Sequence, residues 1–160
     1  MEKVNKIIVN KTFKIKYEKL VKLEENREFC NHTIEHFLDV ARIAYILNLE
    51  EGLGIRKDLI YSAAILHDIG RVDEYETCIS HHTAGKNIAR EILESIDGYS
   101  KDDIDIIVSA VNEHRSSYTD RSVLGELLYR SDKLSRNCMF CKAIDKCNWP
   151  DEKKNSFIKI

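Results

Sequence analysis

The sequence predicts an all-α fold in a single domain. Apolar residues recur at helical spacing in one segment after another, whereas strict alternation of apolar and polar residues over a useful length is hard to find. The chain has 160 residues, of which 43% are hydrophobic and only one is proline, and its composition does not shift along its length. This is enough apolar material for one compact core. We therefore expect residues 1–160 to form one helical bundle.

The helical pattern predicts six helices, at roughly Thr12–Asn26, His32–Leu49, Arg56–Asp68, Ser80–Ile96, Lys101–Glu113 and Ser122–Leu134. Residues that begin or end helices agree with these limits. Asn31 and Ser80 are suited to cap helix starts, Gly52 and Gly54 mark a loop, and Gly98 follows the fourth helix. We expect a short N-terminal lead before the first helix and an irregular tail over residues 137–160.

Charge and composition exclude several classes of function. The formal net charge is -2, from 25 basic and 27 acidic residues that are well mixed, so no global field attracts nucleic acid or an anionic membrane. No stretch approaches the length of a membrane span, and the start MEKVNKIIVNK lacks the apolar core of a signal peptide. We expect a cytoplasmic protein with neither nucleic acid nor a membrane as its partner.

Titratable residues interrupt the apolar faces of several predicted helices. In the stretch AAILHDIGR, His67 continues the inward face of its helix and Asp68 lies beside it. His81 and His82 lie at the two margins of another apolar stripe, so periodicity alone does not choose between them. Three further helices each turn one titratable side chain toward the core: His36, His114 and Asp132. Burying such groups without partners would be expensive.

A metal site would account for these buried groups. Two carboxylates and several imidazoles near one another require compensating positive charge, which a divalent cation supplies in the fewest atoms. Imidazole with carboxylate suits zinc, iron, manganese, nickel or cobalt better than calcium. Such a mixed ligand set leaves room for water, and a metal-bound water loses its proton near neutral pH and becomes a nucleophile.

The order of these residues resembles that of the HD-domain metal-dependent phosphohydrolases. The stretches HFLDVARIA, LHDIGR and LLYRSDKLSR are similar to the three metal-binding motifs of that family. The resemblance covers about residues 30–136 and implies an HD-type helical bundle. It also implies four metal ligands, which are His36, His67, Asp68 and Asp132.

A subset of that family binds two metal ions that share the aspartate of the His-Asp pair. The stretch HHTAGKNIA resembles the segment in which the ligand histidine precedes a small residue by four positions, which favours His81 over His82. AVNEHRSS resembles the segment that supplies the other histidine, His114. The chain is similar in format to small bacterial diadenosine tetraphosphate hydrolases, and it lacks the glycine-tyrosine-proline signature of the cyclic-dinucleotide phosphodiesterases. The alternative is one metal ion, with His81 and His114 contacting phosphate.

The resemblance implies a small-molecule phosphate substrate, a nucleotide or related phosphoester, that is cleaved by metal-activated water. Asp68 would belong to the catalytic machinery. Arg71, Arg115 and Arg136 are close in sequence to the expected ligands and are candidates for bidentate phosphate contacts. His32 lies one turn before His36 and would share its face, either as a partner of the metal ligands or as a histidine at the outer rim, and we expect the rim. The rival functions are a mononuclear nucleotidase-like enzyme and a non-catalytic sensor that binds metal or nucleotide.

Five cysteines are the remaining feature of the sequence. Without a secretory signal they are expected to be reduced thiols or metal ligands. Cys138, Cys141 and Cys147 form a C-x2-C-x5-C arrangement, and the spacing of the first two allows both thiolates to bind one metal ion. Cys30 is the natural fourth ligand. Such a site would hold structural zinc or an iron-sulfur cluster, and the alternative is reduced thiols packed with Phe140 and Trp149.

Overall fold

The computed structural model describes residues 1–115 and 118–159, and in this part of the chain it confirms the all-α fold. The described residues form eight α-helices and two short 3-10 turns, with no strand among them. The helices are α1 (Glu2–Val9), α2 (Lys11–Leu23), α3 (Ile34–Glu50), α4 (Lys57–Leu66), α5 (Arg71–Thr77), α6 (His81–Glu94), α7 (Lys101–Glu113) and α8 (Val123–Leu134). The 3-10 turns lie at Ile144–Lys146 and Asp151–Lys153.

Two of these helices differ from the prediction. The expected N-terminal lead is helix α1, which buries Val4 and Ile7, and the side chain of Asn10 caps the start of α2 by accepting a hydrogen bond from Phe13 N at 3.2 Å. Helix α4 ends at Leu66, so the His-Asp pair lies just beyond it, and α5 follows. With only seven residues, α5 is too short to show a helical period in the sequence.

Gly70, between the His-Asp pair and α5, allows two segments of backbone to approach closely. A Cβ atom at this position would lie 2.0 Å from the carbonyl oxygen of His81 and 2.3 Å from the backbone nitrogen of Gly85. Only glycine, which has no Cβ atom, allows the two backbone segments to come this close. The start of α6 is therefore held against the His-Asp segment, which brings His81 toward Asp68.

The helices bury one large apolar core. Helix α3 packs on α4 and α8, α7 packs on α4, α6 and α8, and α1 and α2 close the side next to α4 and α5. Fully buried side chains of the core include Ile60, Leu66, Ile92, Ile107, Leu127 and Leu128. This packing brings α3, α4, α7 and α8, which carry most of the candidate ligands, to one region.

The cap of α3 is not the predicted one. The helix begins after Thr33, whose hydroxyl accepts a hydrogen bond from His36 N at 3.4 Å. Asn31 instead donates its amide to the carbonyl oxygen of Glu24. Ser80 does precede α6, but its side chain makes no capping hydrogen bond.

The irregular C-terminal tail is fixed to the end of α8. The amide of Asn155 donates to the carbonyl oxygens of Lys133, Leu134 and Arg136 at 2.7, 3.2 and 2.9 Å. Carbonyl groups at a helix C-terminus lack partners within the helix, and Asn155, which is buried, supplies one. Among the described residues, no helix is long and apolar enough to cross a membrane.

Candidate metal centre

Two groups of potential metal ligands lie side by side where α3, α4, α6, α7 and α8 meet. The first group is His36, His67, Asp68 and Asp132, all buried, and the second is Asp68, His81 and His114. Within each group one ligand atom per residue lies within 4.8 Å of all the others. We refer to the six residues together as the His/Asp centre. The structure thus brings together all six residues that the sequence motifs indicate.

Asp68 belongs to both groups and turns one oxygen toward each. Its Oδ2 lies 3.0 Å from His67 Nε2 and 3.8 Å from His36 Nε2. Its Oδ1 lies 3.7 Å from His114 Nε2 and 3.9 Å from His81 Nε2. A carboxylate with one oxygen in each of two ligand groups has the arrangement of a bridge between two ions.

Asp132 completes the first group from the last turn of α8. Its Oδ1 lies 3.4 Å from His36 Nε2 and 3.9 Å from His67 Nε2. The two carboxylates therefore reach the same pair of histidines from different parts of the fold, Asp132 from α8 and Asp68 from the turn between α4 and α5.

All four histidines of the centre have one ring nitrogen fixed by the protein. His67 Nδ1 lies 2.6 Å from the carbonyl oxygen of Ala64, and His114 Nδ1 lies 2.6 Å from that of Val111. The other two contacts are His36 Nδ1 to Ser135 Oγ at 3.1 Å and His81 Nδ1 to both oxygens of Glu74 at 3.0 Å. Metal-ligating histidines are normally oriented in this way, with the second nitrogen free for the ion.

The free nitrogens are the strongest sign that the centre fits a metal ion. His36 Nε2, His67 Nε2, His114 Nε2 and Asp68 Oδ2 are buried and make no hydrogen bond with any residue that the structure describes. Buried polar atoms without a partner are rare because each costs its full desolvation energy. A divalent cation in each group would satisfy these atoms together.

The protonation of the centre also suits metal binding. Burial lowers the pKa of His36 and of His81 to about 4, so both imidazoles are neutral at physiological pH. Burial alone would raise the pKa of Asp68, but Arg71 and His67 hold it well below its usual range. Burial would lower the pKa of His67, but the charge of Asp68 raises it, so an ion at His67 competes with a proton. Neutral imidazoles with ionised carboxylates are the ligand forms that a transition metal requires.

Cationic side chains contact the carboxylates of the centre from outside. Arg71 Nε donates to Asp68 Oδ1 at 2.8 Å. Arg136 Nη2 donates to Asp132 Oδ1 at 2.9 Å, and Lys133 Nζ donates to Asp132 Oδ2 at 2.6 Å. Arg71 and Arg136 are therefore at the centre, as expected. Arg115 is exposed, because the chain leaves α7 at His114 and the next side chain points away from the core.

His32 does not lie at the rim, and this expectation was wrong. It is only 3% exposed, with Nε2 3.4 Å from Asp68 Oδ2. Its Nδ1 lies 2.6 Å from Glu24 Oε1, and its backbone N–H donates to Glu24 Oε2 at 2.7 Å. Burial would raise the pKa of Glu24, but hydrogen bonds from His32 and Tyr75 lower it to about 2. No pattern in the sequence pointed to Glu24, because it lies just beyond α2, eight residues before its partner.

His81 rather than His82 reaches Asp68, in agreement with the glycine spacing. His82 Nε2 lies instead 3.3 Å from Ser80 Oγ. The motif AVNEHRSS, which supplies His114, ends on Ser116 and Ser117, and these two residues lie outside the described part of the chain.

A cavity of about 330 Å³ opens beside the centre, and we call it the basic pocket. Four of its lining residues contact the carboxylates of the centre: His32 and Arg71 contact Asp68, and Lys133 and Arg136 contact Asp132. The remaining lining residues are Arg27, Phe29, Cys30, Cys138, Cys147, Asn148 and Trp149. A ligand in this pocket would therefore lie next to the His/Asp centre.

The cysteines gather near the pocket without forming a compact ligand group. Cys30, Cys138 and Cys147 line the basic pocket, and Cys30 and Cys141 line a smaller hollow beside it. Among the described residues, the groups of three or more close ligand atoms include no cysteine. The four-cysteine metal site stays a prediction.

Comparison with known proteins agrees with this geometry. The model of the HD domain family matches residues 33–137. An uncharacterized protein of Clostridium beijerinckii is 48% identical over 149 residues, which cover 92% of this chain and 93% of that protein. A crystal structure of an HD superfamily hydrolase from an uncultured Thermotogales bacterium has the same fold, with a TM-score of 0.65, 22% identity, and coverage of 90% of this chain and 79% of that one.

Ribonuclease Y of Acetivibrio thermocellus is 29% identical over 116 residues, which cover 72% of this chain. The matched region is only 20% of that enzyme's length, so the similarity concerns one part of a larger protein. The family match covers more than half of this chain and contains both halves of the His/Asp centre. The chain belongs to the HD domain family.

Proposed function

We propose that this protein is a metal-dependent phosphohydrolase that cleaves a nucleotide or a related phosphoester. The observation that carries the proposal is the position of Asp68, whose two oxygens face two separate sets of histidine nitrogens. Three of the four nitrogens are buried without a hydrogen-bond partner. This arrangement supports a site for two divalent ions that share Asp68.

The ions would supply electrophilic stabilisation of a phosphoryl group and an activated water. His36, His67 and Asp132 would hold one ion together with Asp68, and His81 and His114 would hold the other together with Asp68. The fixed Nδ1 atoms of the histidines keep their Nε2 atoms aimed into the site, so little reorganisation is needed when an ion binds.

Arg71, Lys133 and Arg136 bind the substrate phosphate. All three line the basic pocket, and their cationic groups reach the edge of the centre. A guanidinium group matches the geometry of two phosphate oxygens, so the two arginines also orient the phosphoester. Arg115 has no part in this proposal, because it is exposed and does not line the pocket.

The Glu24–His32 pair handles a proton at the edge of the centre. Glu24 remains ionised above a pKa of about 2, so it accepts a hydrogen bond from His32 Nδ1–H. His32 Nε2 is then the atom at which a proton is taken up or released, next to Asp68 and facing the pocket. A histidine held by a carboxylate in this way is suited to proton transfer with a leaving oxygen.

The relatives support a phosphoester bond as the target but leave the substrate open. Ribonuclease Y is named for its action on RNA, and this chain corresponds to about a fifth of it. We propose a small-molecule substrate rather than RNA, because the pocket of about 330 Å³ is near the lower limit for ligand sites.

Metal analysis joined to a substrate screen tests the proposal. The protein is purified without added metal, reconstituted with iron, manganese, zinc, nickel or cobalt, and assayed on nucleotides, diadenosine tetraphosphate and an RNA oligomer. We expect two ions per chain and hydrolysis of a nucleotide, with both lost in Asp68→Ala. Asp105→Ala is the matched control, because Asp105 pairs with Arg90 at the surface.

Each other outcome selects a different function. Loss of a single ion in Asp68→Ala favours the mononuclear enzyme, with His81 and His114 contacting phosphate. Metal binding without hydrolysis of any substrate favours the sensor. Equal and negligible metal in the wild type and Asp68→Ala contradicts the proposal. The double variant Cys138→Ala/Cys141→Ala tests the cysteines in the same assay, since loss of a separate zinc or iron would reveal their own site.

A further inference from the structure

The basic pocket is built from two kinds of sequence. Arg71, Lys133 and Arg136 come from the region that matches the HD family, residues 33–137. The other lining residues lie outside that region, in the loop before α3 and in the C-terminal tail: Arg27, Phe29, Cys30, His32, Cys138, Cys147, Asn148 and Trp149. The side of the pocket next to the carboxylates thus lies largely within the region that matches the family, whereas the flanking segments of this chain form most of the rest.

The charge of the pocket is suited to a phosphate group. Arg27, Arg71, Lys133 and Arg136 line it, and the described residues that line it include no carboxylate. Three of these cations are hydrogen-bonded to Asp68 or Asp132, which places cationic donors at the edge of the His/Asp centre. A phosphate bound there would be within reach of the proposed ions.

Trp149 supplies an aromatic surface close to these cations. Its ring centroid lies 5.4 Å from Lys133 Nζ, the same atom that donates to Asp132 Oδ2 at 2.6 Å. The side chain of Lys133 therefore contacts both the indole ring of Trp149 and the His/Asp centre. Phe29, which is 38% exposed, is a second aromatic residue on the lining.

The tail that carries Trp149 is held in place on both sides of the pocket. Asn155 binds the last carbonyl groups of α8. Lys146 forms an ion pair with Glu28, which belongs to the loop before α3. The tail that carries Trp149 thus contacts both segments that border the pocket.

We propose that Trp149 determines substrate specificity by stacking on the base of a single nucleotide whose phosphate lies at the His/Asp centre. The inference rests on the proposed function and adds the part of the substrate that the tail recognises. A cavity of about 330 Å³ matches one nucleotide rather than a strand. Aromatic stacking accepts any base, so the proposal concerns the presence of a base and not its identity.

The fluorescence of the protein tests this contact directly, because Trp149 is its only tryptophan. The metal-loaded protein is titrated with AMP, GMP, CMP and UMP, and separately with ribose 5-phosphate, which has the same sugar and phosphate without a base. After correction for absorbance, we expect the nucleotides to quench the emission and ribose 5-phosphate to leave it nearly unchanged.

Variants measured by calorimetry separate stacking from a structural role. Trp149→Ala is expected to weaken nucleotide binding about 5- to 150-fold, the range for the loss of one base–aromatic stack, and to change ribose 5-phosphate binding less than twofold. Trp149→Phe should restore most of the affinity. Phe140→Ala is the control, because Phe140 lies in the same tail but is 88% exposed and does not line the pocket.

The proposal is overturned if no nucleotide quenches Trp149 at millimolar concentration, or if Trp149→Ala weakens both kinds of ligand equally. It is also overturned if Phe140→Ala has the same effect as Trp149→Ala. If only the proposed function fails, the result is different. The nucleotides would still quench Trp149, but neither the wild type nor Asp68→Ala would hydrolyse any of them.

Discussion

The molecule contains two clusters of carboxylates that are satisfied in different ways. In the frame cluster, which consists of Lys3, Arg56, Asp58 and Asp103, every carboxylate oxygen contacts a cation. Lys3 Nζ lies 2.6 Å from Asp58 Oδ2, and Arg56 donates to Asp58 from Nε and Nη2 and to Asp103 from Nη1 and Nη2. This cluster joins α1, α4 and α7 and needs nothing from outside.

The His/Asp centre also has cations beside its carboxylates, yet it remains incomplete. Arg71, Lys133 and Arg136 contact Asp68 and Asp132, while three histidine nitrogens and Asp68 Oδ2 are buried without a hydrogen-bond partner. Carboxylates alone therefore do not distinguish a functional site from a structural ion-pair network. The unpartnered imidazole nitrogens make the distinction, because they require an electron-pair acceptor that no side chain in the described part of the chain supplies.

The largest expected effect is the response of thermal stability to metal. An ion that binds only the folded state at a hundred times its Kd adds about 2.7 kcal/mol, so one occupied site should raise the Tm by roughly 5–11 °C. His67→Ala should abolish this rise, and Asp103→Asn should keep it even though its starting Tm is lower. Differential scanning calorimetry with and without a chelator measures both. An equal response in the two variants would show that the clusters do not differ as described.

The second effect concerns the close contact between the backbone at Gly70 and the start of α6, which positions His81. Gly70→Ala should destabilise the protein by about 2–3 kcal/mol, because the new methyl group would meet the backbone of His81 and Gly85 at 2.0–2.3 Å. Gly85→Ala is the control: its nearest contact would be 3.5 Å, and alanine favours the helix by up to about 1 kcal/mol. Chemical denaturation compares the two, and equal stability would contradict the described approach.

The third effect divides the His/Asp centre into its two groups. Glu74→Ala removes the carboxylate that orients His81, so the second ion should bind about 10- to 100-fold more weakly, while the first ion is unaffected. Glu76→Ala is the control, since Glu76 lies on the same helix but pairs with Lys19 instead. Metal titration by calorimetry distinguishes the two sites. Equal weakening of both ions would mean that the groups are not independent.

The smallest effect is acid sensitivity in the frame cluster. Burial would raise the pKa values of Asp58 and Asp103, but Arg56 and Lys3 hold both below their usual range. A carboxylate whose pKa is lowered by folding stabilises the protein above its unfolded pKa and loses that contribution as the pH falls through its folded pKa. As the pH falls from 5 to 2, thermal melts of metal-free protein should therefore show a loss of stability. This loss should be smaller in Asp58→Asn/Asp103→Asn than in the wild type, by about 1 kcal/mol or less. Identical curves would contradict the stabilising role of these ion pairs.

Sequence patterns predicted those features that depend on helical spacing. His36 and Asp132 lie at inward positions of α3 and α8, and His67 follows α4 directly with helical backbone angles, so the period of 3.6 residues predicted their inward direction. Periodicity did not distinguish His81 from His82, and only the resemblance to the family segment, with a small residue four positions later, favoured His81. His32 was placed wrongly because its burial depends on Glu24, which a different segment supplies. Contacts between different segments of the chain leave no periodic pattern in the sequence. For the same reason, the tail and loop residues that line the basic pocket could not be predicted.

Anomalous diffraction from crystals of the manganese- or iron-loaded protein would test most directly whether Asp68 bridges two ions. We expect two peaks, about 3.5–4 Å apart as in other two-metal sites, one among His36, His67 and Asp132 and the other beside His81 and His114. Each oxygen of Asp68 should contact one peak. A single peak in the first group, with His81 and His114 free, would contradict the two-ion centre and leave the mononuclear arrangement in its place.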